Sequence, residues 1–177
     1  MNIIAFAASN RKKSINKQLA EYAASLLDKV KVEVLDLNDY ELPLYSQDKE
    51  EEIGHPQLAK DFLAKIANSN GIIISFAEHN GSYTVAYKNI FDWCSRIEPK
   101  VFSDKPMVLL STSPGSRGGA SVLAAAVQSA PHFNGIVKAS LAIPSFYDNF
   151  DADKQCLTHE ELNEQLVDAV SHLNHLK

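Results

Sequence analysis

Three short stretches of this sequence concentrate groups that could do chemistry. The first, Ser9-Asn10-Arg11-Lys12-Lys13-Ser14-Ile15-Asn16, carries three cations, two hydroxyls and no acid. Charge-assisted donors beside the exposed N–H groups of a helix start are what a phosphate dianion needs. The plainer alternative is that Ser14 only caps the helix while the cations are solvated. Neither G-x-x-x-x-G-K-[ST] nor G-x-G-x-x-G occurs here, which disfavours ATP and the usual dinucleotide docking. The second stretch, Ala77-Glu78-His79-Asn80-Gly81-Ser82-Tyr83, is dense in polar groups where a short turn would suffice, and Asn80-Gly81 suits a tight turn with positive φ. The third, Ser113-Pro114-Gly115-Ser116-Arg117-Gly118-Gly119, spends three of the chain's seven glycines in seven residues. Such a run lets backbone approach a flat or anionic ligand closely.

Little else looks reactive. His79 has no second His, Cys or carboxylate at ligand spacing, so a metal is not expected. Cys94 and Cys156 form no C-x-x-C, and Cys94 falls on a helical pattern whose better reading is core packing. No Ser-His-Asp order or paired-carboxylate motif appears, and no catalytic acid, base or nucleophile is assigned.

The elements that must position these stretches follow from periodicity. Apolar, β-branched runs at 2–8, 32–37, 71–76, 106–112 and 136–143 predict five strands, and helical spacing predicts helices over 15–29, 57–68, 84–96, 119–130 and 159–176. The first, third and fourth runs are nearly continuous in apolar residues, as in parallel strands covered on both faces; the second alternates and suits an edge. Five βα units imply an α/β fold, a doubly wound five-stranded parallel sheet with helices on both faces. The flavodoxin-like strand order 2-1-3-4-5 is the natural candidate, and ligands in such sheets bind beyond the carboxyl ends of the strands at the switch point. All three polar stretches fall at that edge. The charge run Asp48 to Glu52 reads as a solvated loop in the connection after strand 2.

Composition bounds the rest. At 177 residues, with 45% apolar and 22% charged side chains, the chain is expected to form one domain over 1–177 rather than a fibre or a disordered segment. A net charge of −5 argues against nucleic acid or an anionic membrane as partner. No apolar run approaches the ~18 residues of a membrane span, and the cytoplasm is the expected location. Locally the charge reverses: Arg11, Lys12, Lys13 and Lys17 crowd around one strand-to-helix turn, a positive notch in an acidic shell.

The three stretches together resemble the NAD(P)H-dependent FMN reductases, flavodoxin-like proteins that include quinone, azo and chromate reductases. The family pattern G-S-x-R-x-x-S-x-N is met by Ala8 through Asn16, with Ala8 in place of Gly. P-E-Y-N-x-S and a following L-K-N-x-x-D-W are met by Ala77 through Ser82 and by Tyr87 through Trp93, with Ala77 for Pro and His79 for Tyr. A loose S-x-x-x-G-x-x-G-G corresponds to Ser113 through Gly119. The resemblance implies that Ser9, Arg11, Ser14, Ile15 and Asn16 bind the FMN phosphate end. It also implies that Ala77, Glu78, His79, Asn80, Ser82, Ser113, Gly115, Gly118 and Gly119 lie near the ring. It further implies NADPH or NADH as reductant, a small acceptor such as a quinone, flavin or azo compound, ping-pong turnover in one shared cleft, and a homodimer. Tyr87, Phe91 and Trp93 are candidates for the dimer interface or for the core. A non-catalytic FMN electron carrier and a cofactor-free binding module remain as alternatives.

Overall fold

A computed structural model describes residues 1–174 of the chain. The central sheet is formed by β1 (Asn2–Ala8), β2 (Lys31–Leu35), β3 (Gly71–Phe76), β4 (Lys105–Thr112) and β5 (Gly135–Ile143), all parallel, in the order β2-β1-β3-β4-β5. This is the flavodoxin-like arrangement expected from the alternation of strand and helix patterns. The helices are α1 (Ile15–Ser25), α2 (Gln47–Ile53), α3 (Gln57–Ala67), α4 (Val85–Ile97), α5 (Ala120–Ser129), α6 (Phe146–Asn149) and α7 (Glu160–Ser171). Positions 175–176 of the last predicted helix lie outside the described residues.

Continuous apolar strands need cover on both faces, and they have it. One face of the sheet packs against α3, α4 and α5 through Phe6, Phe62, Phe76, Tyr87 and Trp93, and the other against α1 and α7 through Leu19, Ala23, Leu166 and Val170. Phe6 and Phe62 meet edge to face at 5.4 Å. Fully burying a side chain of this size stabilises the fold by roughly 1.5–3 kcal/mol. Cys94 belongs to this core, where burial pushes its thiol up to about 12, so it is held as an unreactive thiol.

Several boundaries differ from the predicted ones for local reasons. Strand 2 stops at Leu35 rather than 37 because the Asp36 carboxylate accepts from the Asn38 N–H and turns the chain into a 3-10 turn over Leu37–Tyr40. Helix 1 ends at Ser25, not 29, and the chain turns through Lys29 at φ 55°. The Asp48–Glu52 run is not a loop but the body of α2. Ser46 caps it by accepting from the Lys49 N–H, Asp48 and Glu50 sit at its positive end, and Gly54 closes it at φ 68°. A short antiparallel pair, β6 (Phe150–Asp151) with β7 (Cys156–Leu157), was not foreseen. No helix among the described residues is long and apolar enough to cross a membrane.

Candidate functional site

The β1–α1 turn puts a helix N-terminus at the carboxyl edge of the sheet. Ser14 is its N-cap, accepting from the Lys17 N–H at 3.2 Å, and Ser9 accepts from the Arg11 N–H at 3.2 Å. Both hydroxyls are buried, yet their own O–H groups find no acceptor among the described residues. The same holds for the main-chain N–H groups of Ile15 and Asn16 in the first turn. Four uncommitted donors at the positive end of an 11-residue helix, beside exposed Arg11, Lys12 and Lys13, suit a phosphate monoester. Lys17 is not part of this notch. It pairs with Asp36 at 2.7 Å, and that bond raises the lysine pKa and lowers the carboxyl's.

Asn16 departs from the role expected of it. Its side chain is 2% exposed and faces inward, donating to the Thr112 carbonyl at 3.1 Å and accepting from the Ser75 hydroxyl at 2.7 Å and the Thr112 N–H at 3.0 Å. One amide thus locks the start of α1 to β3 and β4, and only the Asn16 main chain is left to meet an anion.

The stretch after β3 folds as its sequence suggests. His79 and Ser82 exchange two main-chain hydrogen bonds, at 3.0 and 3.1 Å, around Asn80 at φ 53° and Gly81 at φ 74°. This is a two-residue hairpin turn of the type that needs positive φ at both centres. It presents His79, Asn80 and Ser82 to solvent, with Ala77 half-buried behind them. Glu78 turns the other way: its carboxylate accepts from the Val122 N–H at 2.9 Å and caps α5, whose own N-cap, Gly119, has no side chain to offer. The second and third stretches are therefore clasped together. Glu78→Ala should cost about 1 kcal/mol, the usual loss of a cap, read as a fall of roughly 3 °C in melting temperature. A protein melting with the parent would refute the clasp.

In the third stretch the glycines answer to the protein more than to a ligand. A Cβ on Gly118 would stand 2.6 Å from the Ile143 carbonyl oxygen, and one on Gly119 3.2 Å from the Ser111 Cβ, both at positive φ. Around Gly115 the space is open, with only Ser113 Oγ at 3.8 Å. Ser113 and Gly115 anchor the turn by accepting from the Phe146 and Ser145 N–H groups. Arg117 is exposed and donates to the Ser121 hydroxyl at 2.7 Å.

Between these loops and the chain after β2 opens a cleft of about 490 Å³, bordered by Asn10, His79 and Thr84 on one side and by Leu42 and Leu44 on the other. That volume falls in the range of small-molecule sites. Thr84 fixes its floor, capping α4 and donating to the Ala8 carbonyl at 3.0 Å. None of Ser113, Gly115, Gly118 or Gly119 lines it. The wall over residues 37–44 was missed in sequence reasoning; the only signal was an apolar Leu42-Pro43-Leu44-Tyr45 patch in an otherwise polar connection. Among the expected interface aromatics, Trp93 and Tyr87 are buried in the core, and Phe91 packs on Phe102 and Phe133 within the chain. The exposed apolar groups at the cleft mouth are instead Leu44 and Val85, at 73% and 70%. Among the described residues no group of three or more His, Cys, Asp or Glu is placed to hold a metal.

Residues 1–148 match the family described as NADPH-dependent FMN reductase. A 2-hydroxy-1,4-benzoquinone reductase from a Burkholderia species is 36% identical over 122 residues, covering 68% of this chain and 64% of the relative. An NADPH:quinone oxidoreductase of Arabidopsis thaliana is 32% identical over 125 residues, covering 68% and 62%. The matched part is thus somewhat under two thirds of each relative's length. In three dimensions, a flavoenzyme NAD(P)H:(acceptor) oxidoreductase from Paracoccus denitrificans superposes with a TM-score of 0.76, at 24% identity over 97% of both chains. The chain belongs to the NADPH-dependent FMN reductase family.

Proposed function

We propose that residues 1–177 act as one FMN-binding domain that oxidises NADH or NADPH and reduces a small acceptor such as a quinone, flavin or azo compound. The observation that carries this is the set of uncommitted donors at the start of α1, beside a cleft open enough for a flat ring. Ser9, Ser14 and the Ile15 and Asn16 N–H groups hold the phosphate, with Arg11 supplying charge. The Ala77–Ser82 loop, which reaches the cleft through His79, orients the ring, and the Glu78 clasp to α5 ties it to the Ser113–Gly119 loop behind. FMN held there would supply the hydride and electron transfer between nicotinamide and acceptor, so the protein need furnish no acid or base. His79, at the cleft edge, offers an imidazole in place of the phenol of the P-E-Y-N-x-S pattern that this stretch resembles, and it tunes acceptor choice.

A single cleft favours successive occupation by nicotinamide and acceptor, hence ping-pong kinetics. A second copy of the chain covers Leu44 and Val85, making the functional unit a homodimer. Two unpaired cysteines support work in the reducing cytoplasm.

The test is direct. Purified protein loaded with FMN and mixed anaerobically with NADH or NADPH should lose its yellow colour within seconds. A protein that stays yellow would be an electron carrier, and one that refuses FMN a binding module; either result overturns the proposal.

A further inference from the structure

The segment Leu42–Tyr45 forms one wall of the cleft, yet no main-chain to main-chain hydrogen bond holds it among the described residues. It is held by side chains of α4 that read its backbone. Asn89 spends its amide on it, accepting from the Tyr45 N–H at 2.8 Å and donating to the Leu42 and Pro43 carbonyls at 3.2 and 3.1 Å. One turn on, Trp93 donates from Nε1 to the same Pro43 carbonyl at 2.8 Å, and the Tyr45 ring stands edge-on to the indole at 5.1 Å. A turn further, Arg96 Nε reaches Glu50 at 2.9 Å, and Glu50 also accepts from the Tyr45 hydroxyl at 3.1 Å. Positions 89, 93 and 96 follow the spacing of one helix face, so the clamp is a continuous stripe.

The clamp faces the site. Val85 and Ala86, at the start of the same helix, line the cleft opposite Leu42 and Leu44. Both walls are thereby referred to α4: one by covalent continuity, the other by the hydrogen bonds of Asn89 and Trp93. Leu44 and Val85 are thereby both referred to one helix.

We infer that Asn89, which itself lines the cleft, and Trp93, a positioning residue that does not, set the width of the acceptor cleft and so select acceptors by size. This rests on the reading of that cleft as the acceptor's site. Loosening the wall admits wider acceptors while removing the constraint that orients narrow ones, so preference among acceptors changes more than turnover of any one.

The variants are Asn89→Ala, which removes all three bonds, and Trp93→Phe, which keeps an aromatic ring and removes only the donation to Pro43. The second serves should the first fail to fold. With FMN-loaded protein, kcat and KM are measured for a one-ring and a three-ring neutral quinone. The preference for the narrow quinone in kcat/KM should fall about tenfold in Asn89→Ala, mostly through KM, and less in Trp93→Phe. Amide hydrogen exchange at Tyr45 should accelerate at least about tenfold in Asn89→Ala while the α4 amides stay protected. An unchanged preference, or unchanged exchange at Tyr45, would overturn the inference. Should the parent protein fail to oxidise NAD(P)H, the activity proposed above falls on its own. Equilibrium binding of redox-inactive one-ring and three-ring aromatics, followed by titration calorimetry so that Trp93→Phe is read in the same way as Asn89→Ala, then judges the cleft. A shifted ratio in the variants supports the clamp, and an unshifted ratio overturns it.

Discussion

Asn16→Ala is expected to destabilise the cofactor-free protein by about 3–5 kcal/mol, a fall of roughly 10 °C in melting temperature. The size follows from what is left behind. Alanine removes one donor and one doubly used acceptor from a fully buried position, stranding the Thr112 N–H, the Thr112 carbonyl and the Ser75 hydroxyl where water does not reach. Each buried polar group left without a partner costs about 1–3 kcal/mol, and three on two adjacent strands relax together only in part. Asn16→Asp is the informative companion. It keeps the acceptor for Ser75 and Thr112 but loses the donation to the Thr112 carbonyl and places a charge in the core, so it too should be destabilised, increasingly so at neutral pH. Thermal unfolding without FMN is the proper readout, because bound cofactor would add its own stabilisation. An alanine variant melting within 2 °C of the parent, taken as about 1 kcal/mol or less, would show that Asn16 is no linchpin.

Gly118→Ala should have an effect of similar size, about 3 kcal/mol or more, for a different reason. A Cβ there would lie 2.6 Å from the Ile143 oxygen, 2.7 Å from its carbonyl carbon and 2.9 Å from the Pro144 nitrogen. These are backbone atoms leaving β5 and cannot swing aside like a side chain tip. The positive φ adds strain of its own. Gly119→Ala shares the positive φ but meets side chains, Ser111 at 3.2 Å and Glu78 at 3.7 Å, rather than backbone, and Gly115→Ala has neither problem. Apo-protein stabilities should therefore rank Gly115→Ala above Gly119→Ala above Gly118→Ala. If Gly115→Ala proved the most damaging, the assignment of Gly118 to the protein's own packing would be wrong.

The fold was legible because its determinants are local and repetitive. Ile3 through Ala8, Ile72 through Phe76 and Met107 through Thr112 are buried runs whose type survives any error of a residue or two at their ends. The Asn80–Gly81 turn was equally readable, since few other pairs accept positive φ twice. What escaped notice depends on direction rather than type. Glu78 and Asn16 were both expected at the site's edge, but only geometry shows that one turns to cap α5 and the other turns into the sheet. The wall after β2 was invisible for a related reason: Asn89 and Trp93 sit 44 to 50 residues from the backbone they hold. Periodicity carries no information about contacts at that distance. The acidic run of α2 was misread because charge alone does not distinguish a solvated loop from a capped, dipole-matched helix start.

The central place of β1 has a consequence for how the chain comes to be folded. Its first neighbour, β2, follows after one short helix, but its other edge is not covered until Gly71–Phe76 is available to pair with it. Until then Ile3-Ile4-Ala5-Phe6-Ala7-Ala8 stands as an apolar, uncharged, proline-free strand with an open row of N–H and C=O groups. Pairing of that non-local kind is slow, and a segment of this composition left waiting is a template for the wrong partner. Since the proposed phosphate-binding turn is the continuation of the same strand, the interval in which β1 waits with an open edge is also one in which the newborn chain has no finished site for FMN to occupy. Cofactor supply can therefore protect the completed sheet, whereas the early strand depends on the speed with which residues 71–76 arrive.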